Sequence, residues 1–297
     1  MRPRTRTLAL VALLIVPAVL GSCDGRPDSP GPITSTSPST VLPQTPPPYT
    51  PNEPLTVGAA TDLPGFAQLI PPRNIRAGFD IDLTLWLAEN VNPKFRPVFT
   101  DLTIEERDPA MQDRTARLIT EVYSITDQRR QFVTFVGPYM LTKQSVMVRA
   151  GDDRFRTVDD LTRRRVCTLI GSTSFMRLAP ISDPAFVIPV PASQECVDLL
   201  KTKQVDAVTL DELVLQGFAE RDPDLAVLPD VSFGEDERYG IGLPKGDIQL
   251  CEILTQGLRK LFTEGQWEVF FRNNFPNLDP ERERFKPPAP YRFDRCT

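Results

Sequence analysis

Apolar and polar positions divide the chain into three zones. The first holds an apolar run, Leu8–Leu20. The second, residues 24–54, is rich in Pro, Ser, Thr and Gly and holds almost no large apolar residues. From Leu55 onward, short apolar runs typical of strands alternate with segments whose apolar residues recur at helical spacing. This alternation predicts an α/β fold for the third zone.

The third zone contains two successive series of predicted elements. The first series has strands at 55–60, 94–100, 118–123, 133–139 and 144–149, and helices at 78–91 and 108–116. The second series has strands at 165–170, 186–190, 207–210 and 238–243, and helices at 172–178, 194–201 and 251–271. About 240 residues are enough for one large domain or two lobes with a sizeable buried core.

The first zone has the pattern of an export signal. Three arginines precede the apolar run, which ends in Leu20-Gly21-Ser22-Cys23 and is shorter than the roughly 20 residues that span a bilayer. Residues 1–23 resemble a bacterial lipoprotein signal peptide, in which Cys23 would receive the lipid and become the mature N-terminus. A buried apolar segment with an unrelated cysteine is the alternative. Acylation would anchor the protein to the outer face of the cell membrane.

The second zone predicts a tether. Residues 24–54 include Pro46-Pro47-Pro48 and cannot bury enough apolar surface to fold. We therefore expect a disordered, Pro-rich segment that holds the folded part away from the lipid headgroups.

The composition excludes several kinds of chemistry. The chain contains no His and carries a formal charge of -5. Without an imidazole, Ser-His-Asp and Cys-His catalysis, HExxH metalloprotease chemistry and His-based zinc sites are excluded. The acidic balance gives no reason to expect nucleic-acid binding. We expect no metal and no cofactor, and either carboxylate, Lys, Tyr or Cys chemistry or binding without catalysis.

The cysteines predict two disulfides. The chain has five Cys, and if Cys23 is lipidated, the other four form an even set in an oxidising compartment. We expect the pairs Cys167–Cys196 and Cys251–Cys296, because the members of each pair lie in one region of the sequence. The second pair would tie down the Pro-rich C-terminal tail. Sequence alone leaves the connectivity open, and a metal site of scattered thiolates would lack any CxxC spacing.

A series of collinear motifs then carries a resemblance. In chain order they are Thr61-Asp62, Gly78–Leu83, Ser124–Arg129, Gly137–Tyr139, Gly171–Ser174, Val205–Val208, Asp211 and Tyr239–Gly242. From Leu55 to about Phe275 the chain resembles solute-binding protein family 3, the polar amino acid-binding proteins of ABC importers. With its signal segment and tether it is similar to the glutamine-binding lipoproteins of actinobacteria.

The resemblance implies a two-lobed fold of the type II periplasmic-binding-protein class. Lobe 1 would comprise residues 55–142 and 243–297, and lobe 2 residues 143–242. Two hinge strands, near 141–146 and 239–243, would join the lobes, which close on one ligand.

The resemblance also implies the ligand-binding residues. An α-amino acid presents a carboxylate and an ammonium, so its site must supply a cation, backbone donors and a carboxylate. Arg129 would hold the ligand carboxylate and Asp211 the ammonium. Ser124, Ser172 and Thr173 would meet the ligand's backbone groups. The alternatives are a solvated charge for Arg129 and an N-cap of the helix near Glu212 for Asp211.

Selectivity depends on residues near the ligand side chain. Asp62 and Phe66 match family positions beside that side chain. Glu121 either faces the cleft or, by strand alternation, is a surface acid. If Glu121 faces the cleft, the two carboxylates would disfavour acidic ligands and favour an amide or cationic side chain. The bulk of Val122, where the family has small residues, would narrow the side-chain pocket.

The resemblance implies a monomeric, lipid-anchored binding protein that captures a polar amino acid, glutamine-like or basic, and delivers it to an ABC permease. A sensor that reports the amino acid to a membrane partner is an alternative. A dehydratase-type enzyme is a third possibility, because some members of this fold are enzymes. It would need a general acid or base, for which Glu121 and Asp62 form the candidate pair. We expect binding without catalysis and assign no catalytic residue.

Overall fold

The structure of the protein is a computed structural model, which describes residues 49–279 and 285–297. The described residues form seven α-helices, which are α1 (Phe79–Asn90), α2 (Arg107–Gln112), α3 (Thr173–Leu178), α4 (Ser193–Lys201), α5 (Glu212–Ala219), α6 (Ile248–Thr263) and α7 (Gln266–Asn274). Their eleven strands are β1 (Pro54–Ala59), β2 (Asp62–Leu63), β3 (Ala67–Ile70), β4 (Ile75–Ala77), β5 (Arg96–Asp101), β6 (Leu118–Ile119), β7 (Val133–Arg149), β8 (Val166–Leu169), β9 (Val187–Val190), β10 (Ala207–Asp211) and β11 (Leu225–Pro244). The predicted signal peptide, Cys23 and the tether up to residue 48 lie outside the described residues. Within the described ranges, no helix is both long and apolar enough to cross a membrane.

Eight strands form one mixed sheet in the order β5-β1-β6-β11-β7-β10-β8-β9. The pairs β1/β5, β1/β6, β8/β9 and β8/β10 are parallel. β7 and β11 are antiparallel to each other. β7 is also antiparallel to β10, and β11 is antiparallel to β6. This mixed sheet with intervening helices confirms the predicted α/β class. A second sheet, β2-β3-β4, was not predicted because each of its strands has at most 4 residues.

The long strands β7 and β11 join the two halves of the main sheet. At one end β11 pairs with β6, through Gly242 and Ile119, and at the other end β7 pairs with β10. We call the half with β1, β5, β6, α1, α2, α6 and α7 lobe 1, and the half with β8–β10 and α3–α5 lobe 2. The lobe boundaries predicted at residues 142 and 242 fall within these two strands, which act as the connections between the lobes.

Aromatic side chains fill the core of lobe 1. The Trp267 ring centroid lies 4.9 Å from that of Phe271 and 5.7 Å from that of Phe79. The Trp267 indole N–H donates to the Tyr139 carbonyl at 2.8 Å. Because Phe79 begins α1 and Tyr139 lies on β7, this cluster fixes a hinge strand against the helices of lobe 1.

Both expected disulfides are present. Cys167–Cys196 joins β8 to α4, and Cys251–Cys296 joins α6 to the C-terminal segment. The C-terminal segment also follows β7, since the amide of Asp294 donates to the Gly137 carbonyl at 2.7 Å. The predicted pairing and the anchoring of the tail are confirmed.

The chain leaves the sheet earlier than predicted after β6. The strand predicted at 118–123 ends at Ile119, and Val122 has φ 41°, which an extended strand does not allow. The Val122 amide donates to the Asp80 carboxylate at 2.9 Å, and Arg107 binds the carbonyls of Glu121 and Val122 at 2.6 and 3.0 Å. Tertiary hydrogen bonds to this turn therefore override the β propensity of its residues.

Candidate functional site

A small cavity, which we call the central cavity, lies between the lobes. Its volume is about 20 Å³, enough for one water molecule. Lobe 1 lines it with Leu63, Ile104, Arg107, Val122 and Ser124, and lobe 2 with Leu169, Ser172, Thr173, Ser174, Leu210, Asp211 and Val214. The two lobes are therefore in close contact around a wall that is partly polar and partly apolar.

The lobe 2 wall is built at the start of α3. Ser172 is the N-cap, and its hydroxyl accepts from the Phe175 amide at 3.0 Å and donates to the Leu169 carbonyl at 2.7 Å. Across the cavity, the Ser124 and Thr173 hydroxyl oxygens are 3.4 Å apart. Ser124, Ser172 and Thr173, which the resemblance assigned to one site, all line the central cavity.

Arg129 lies next to the cavity and bridges the lobes. Its Nε is 3.1 Å from the Asp108 carboxylate, Nη1 donates to the Ser124 carbonyl at 3.1 Å, and Nη2 donates to the Gly171 carbonyl of lobe 2 at 3.0 Å. The guanidinium is buried, which excludes the solvated-charge alternative. Burial and the nearby Arg107 lower the pKa of Arg129.

Asp211 faces the cavity from the end of β10. Its side chain does not cap α5; it accepts hydrogen bonds from Gln144 Nε2 and the Tyr239 hydroxyl. Gln144 Nε2 also donates to Glu237 at 2.9 Å, so the two carboxylates share one donor. Burial, and then the charge of Glu237, raise the pKa of Asp211 to about 7.

Glu121 lies inside lobe 1, so it is neither a lining residue of the central cavity nor the surface acid of the alternative. The side chain is fully buried, and neither carboxylate oxygen has a hydrogen-bond partner among the described residues. Burial raises the pKa of Glu121 well above its usual range. The turn that ends β6 causes this placement, because it removes Glu121 from the strand alternation on which both expectations depended.

Asp62 and Phe66 also lie away from the central cavity. The Asp62 carboxylate accepts from the Ser193 amide and hydroxyl and from the Gln194 amide, at 2.7, 2.8 and 3.2 Å, so it holds the start of α4. Phe66 is a core residue, with its ring centroid 5.1 Å from that of Phe275. Their place beside the ligand side chain stays a prediction. Neither member of the candidate acid–base pair, Asp62 and Glu121, lines the central cavity.

Sequence reasoning missed Arg107, Asp108 and Gln144. Arg107 lines the cavity, Asp108 pairs with Arg129, and Gln144 holds Asp211. Two adjacent charges, Arg107-Asp108, at the start of a predicted helix were the available signal for the first two. Gln144 carried no signal, because its contact with Asp211 depends on the register of β7 against β10.

Comparison with known proteins identifies the family. Residues 55–277 match the family model of bacterial extracellular solute-binding proteins, family 3. The glutamate-binding protein GluB of Corynebacterium efficiens is 29% identical over 230 residues, covering 74% of this chain and 78% of that protein. The glutamine-binding protein of Geobacillus stearothermophilus is 31% identical over 255 residues, covering 84% and 95%.

Solved structures show the same fold. The amino acid ABC transporter substrate-binding protein AbpA from Streptococcus pneumoniae, bound to L-arginine, matches with a TM-score of 0.71 and 25% identity, over 75% of this chain and 94% of that chain. All three of these similar proteins are named as binding proteins. The family match covers most of the third zone and both walls of the central cavity. The chain belongs to the bacterial extracellular solute-binding proteins, family 3.

Proposed function

We propose that this protein is a monomeric, lipid-anchored binding protein that captures a polar amino acid between its lobes and delivers it to an ABC permease. The observation that carries the proposal is a pair of buried ionisable side chains of opposite type on separate lobes beside one cavity: Arg129 on lobe 1 and Asp211 on lobe 2. A zwitterion complements such a pair, because its carboxylate and ammonium can contact both lobes at once.

Ligand entry requires the lobes to separate. A cavity of about 20 Å³ is far below the roughly 300 Å³ or more of small-molecule pockets. Opening would break the bond between Arg129 and the Gly171 carbonyl, since the two residues lie on different lobes. The Nη2 group is then available to the ligand carboxylate, and closure around the ligand replaces the lost interlobe contact. β7 and β11 supply the connections about which such a motion turns.

The names of the similar proteins support the ligand class. They include a glutamate binder, a glutamine binder and a structure bound to L-arginine. These amino acids differ in their side chains but share the zwitterionic group, which Arg129 and Asp211 fit. The anchor at Cys23, the tether and the permease rest on the sequence resemblance.

The proposal is tested by binding measurements on Arg129→Gln and Asp211→Asn. Titration calorimetry against the twenty amino acids should give at least one ligand for the unmodified protein. Each substitution should weaken that ligand by about 100-fold or more, because it removes charge-assisted hydrogen bonds. Arg130→Gln is the matched control, since Arg130 pairs with Asp294 away from the cavity. Unchanged affinity in both variants contradicts the proposal.

A further inference from the structure

We propose that the ligand is an acidic amino acid, whose side-chain carboxylate binds Arg107. This inference rests on the proposed function and names the ligand class for the same site. It replaces the expectation of an amide or cationic side chain, which depended on Asp62 and Glu121 flanking the ligand.

Arg107 is a buried cation on the cavity wall. Its side chain is almost fully buried and lines the central cavity. Its hydrogen-bond acceptors are backbone carbonyls: Ile104 accepts from Nε at 3.1 Å, and Glu121 and Val122 accept from Nη1. Nη2 has no acceptor among the described residues, and none of their carboxylate oxygens lies within 4.0 Å of the guanidinium. Arg107 thus retains donors and an unpaired charge.

Arg129 provides a contrast within the same site. The two guanidinium carbons lie 4.9 and 4.7 Å from the centroid of one ring, that of Tyr123, and the charge of Arg107 contributes to the lowered pKa of Arg129. Asp108 pairs with Arg129 at 3.1 Å and leaves Arg107 without a partner.

Two buried acids, Asp80 and Glu121, also lie near Arg107, but neither carboxylate accepts a hydrogen bond from it: Asp80 accepts from the Val122 amide and the Tyr139 hydroxyl, and the Glu121 oxygens have no partner among the described residues. Burial raises the pKa of both acids.

A buried cation is costly until an anion pairs with it. The central cavity is the place where such an anion can reach Arg107. One ligand carboxylate belongs to Arg129 in the proposed function, so the anion for Arg107 is a second carboxylate on the same molecule. A glutamine side chain brings no charge to Arg107, and an arginine side chain is repelled by it. The ligand that pairs with Arg107, Arg129 and Asp211 together is an amino acid with a carboxylate side chain.

The test compares the affinities of acidic and amide ligands, first in the unmodified protein and then in a variant of Arg107. Titration calorimetry on the purified full chain should show glutamate or aspartate binding about 10- to 150-fold tighter than the corresponding amide, the range for a charge-assisted hydrogen bond. Arg107→Gln should remove most of this preference while the affinity for the amide changes less than about 3-fold. Arg129→Gln is the matched control and should weaken acid and amide equally, because both share the α-carboxylate.

Arg107 also holds the turn after β6, so Arg107→Gln is accompanied by Arg107→Lys, which keeps the charge and should retain part of the acid preference. If glutamine, asparagine or arginine binds the unmodified protein tighter than glutamate and aspartate, the ligand class is wrong while the proposed function stands. If Arg107→Gln weakens acid and amide equally, Arg107 does not contact the side chain. If no amino acid binds, both proposals fail. The order of ligand affinities in the unmodified protein decides whether the ligand is acidic, even where a variant does not fold.

Discussion

At the residue scale, Asp211 couples ligand binding to pH. It is buried beside Glu237, and its pKa is raised to about 7 by burial and by that second carboxylate. Because of this raised pKa, the Asp211 carboxyl group carries a proton below about pH 7 when no ligand is bound. A ligand ammonium favours the charged carboxylate, so binding below that pH must displace the proton.

We therefore expect affinity to fall as the pH is lowered below about 7, and binding at pH 6 to release protons. Titration calorimetry at pH 6 in two buffers of different protonation enthalpy measures the number released. The difference between the binding heats in the two buffers should vanish near pH 8, where Asp211 is already charged. Asp113→Asn, at an exposed acid outside the cavity, is the control and should leave the release unchanged. Equal heats in the two buffers at pH 6 would mean that Asp211 does not receive the ammonium.

At the scale of elements, Asp62 holds one lobe against the other. It follows β1 in lobe 1, and its carboxylate accepts from the first residues of α4 in lobe 2. An acid at the N-terminus of a helix is favoured by the unpaired amides there. The bond therefore stabilises the closed arrangement of the lobes, without contact with the central cavity.

Asp62→Ala should weaken every amino acid ligand by the same factor, about 10-fold or more, because it destabilises the closed state in which all of them are held. Competition binding with an acidic and an amide ligand measures both affinities. Asp198→Ala is the matched control, since Asp198 lies on α4 and its bond to Gln194 stays within lobe 2. A change in the ratio of the two affinities would instead place Asp62 beside the ligand side chain, as the sequence suggested.

At the scale of the whole molecule, the sequence predicted what depends on local periodicity. The alternation of strands and helices followed from the apolar pattern, and the disulfide pairs were expected from the positions of the cysteines. The polar residues at the start of α3 came from the family resemblance. The turn after β6 was not predicted, because it depends on Asp80 and Arg107, which reach it from elsewhere in the fold. For the same reason the full burial of Glu121 was not expected and the charge on Arg107 was missed. Side-chain burial and pairing across lobes require the tertiary structure.

The central claim is that a cation on lobe 1 and an anion on lobe 2 hold one ligand and thereby close the protein. Its most direct test is the distance between spin labels on the exposed positions Leu85 and Met176, one on each lobe, measured by pulsed electron resonance. We expect saturating ligand to convert a broad distribution into one short distance in the unmodified protein, and to leave the Asp211→Asn distribution unchanged. A distribution that the ligand does not alter in the unmodified protein would contradict the account.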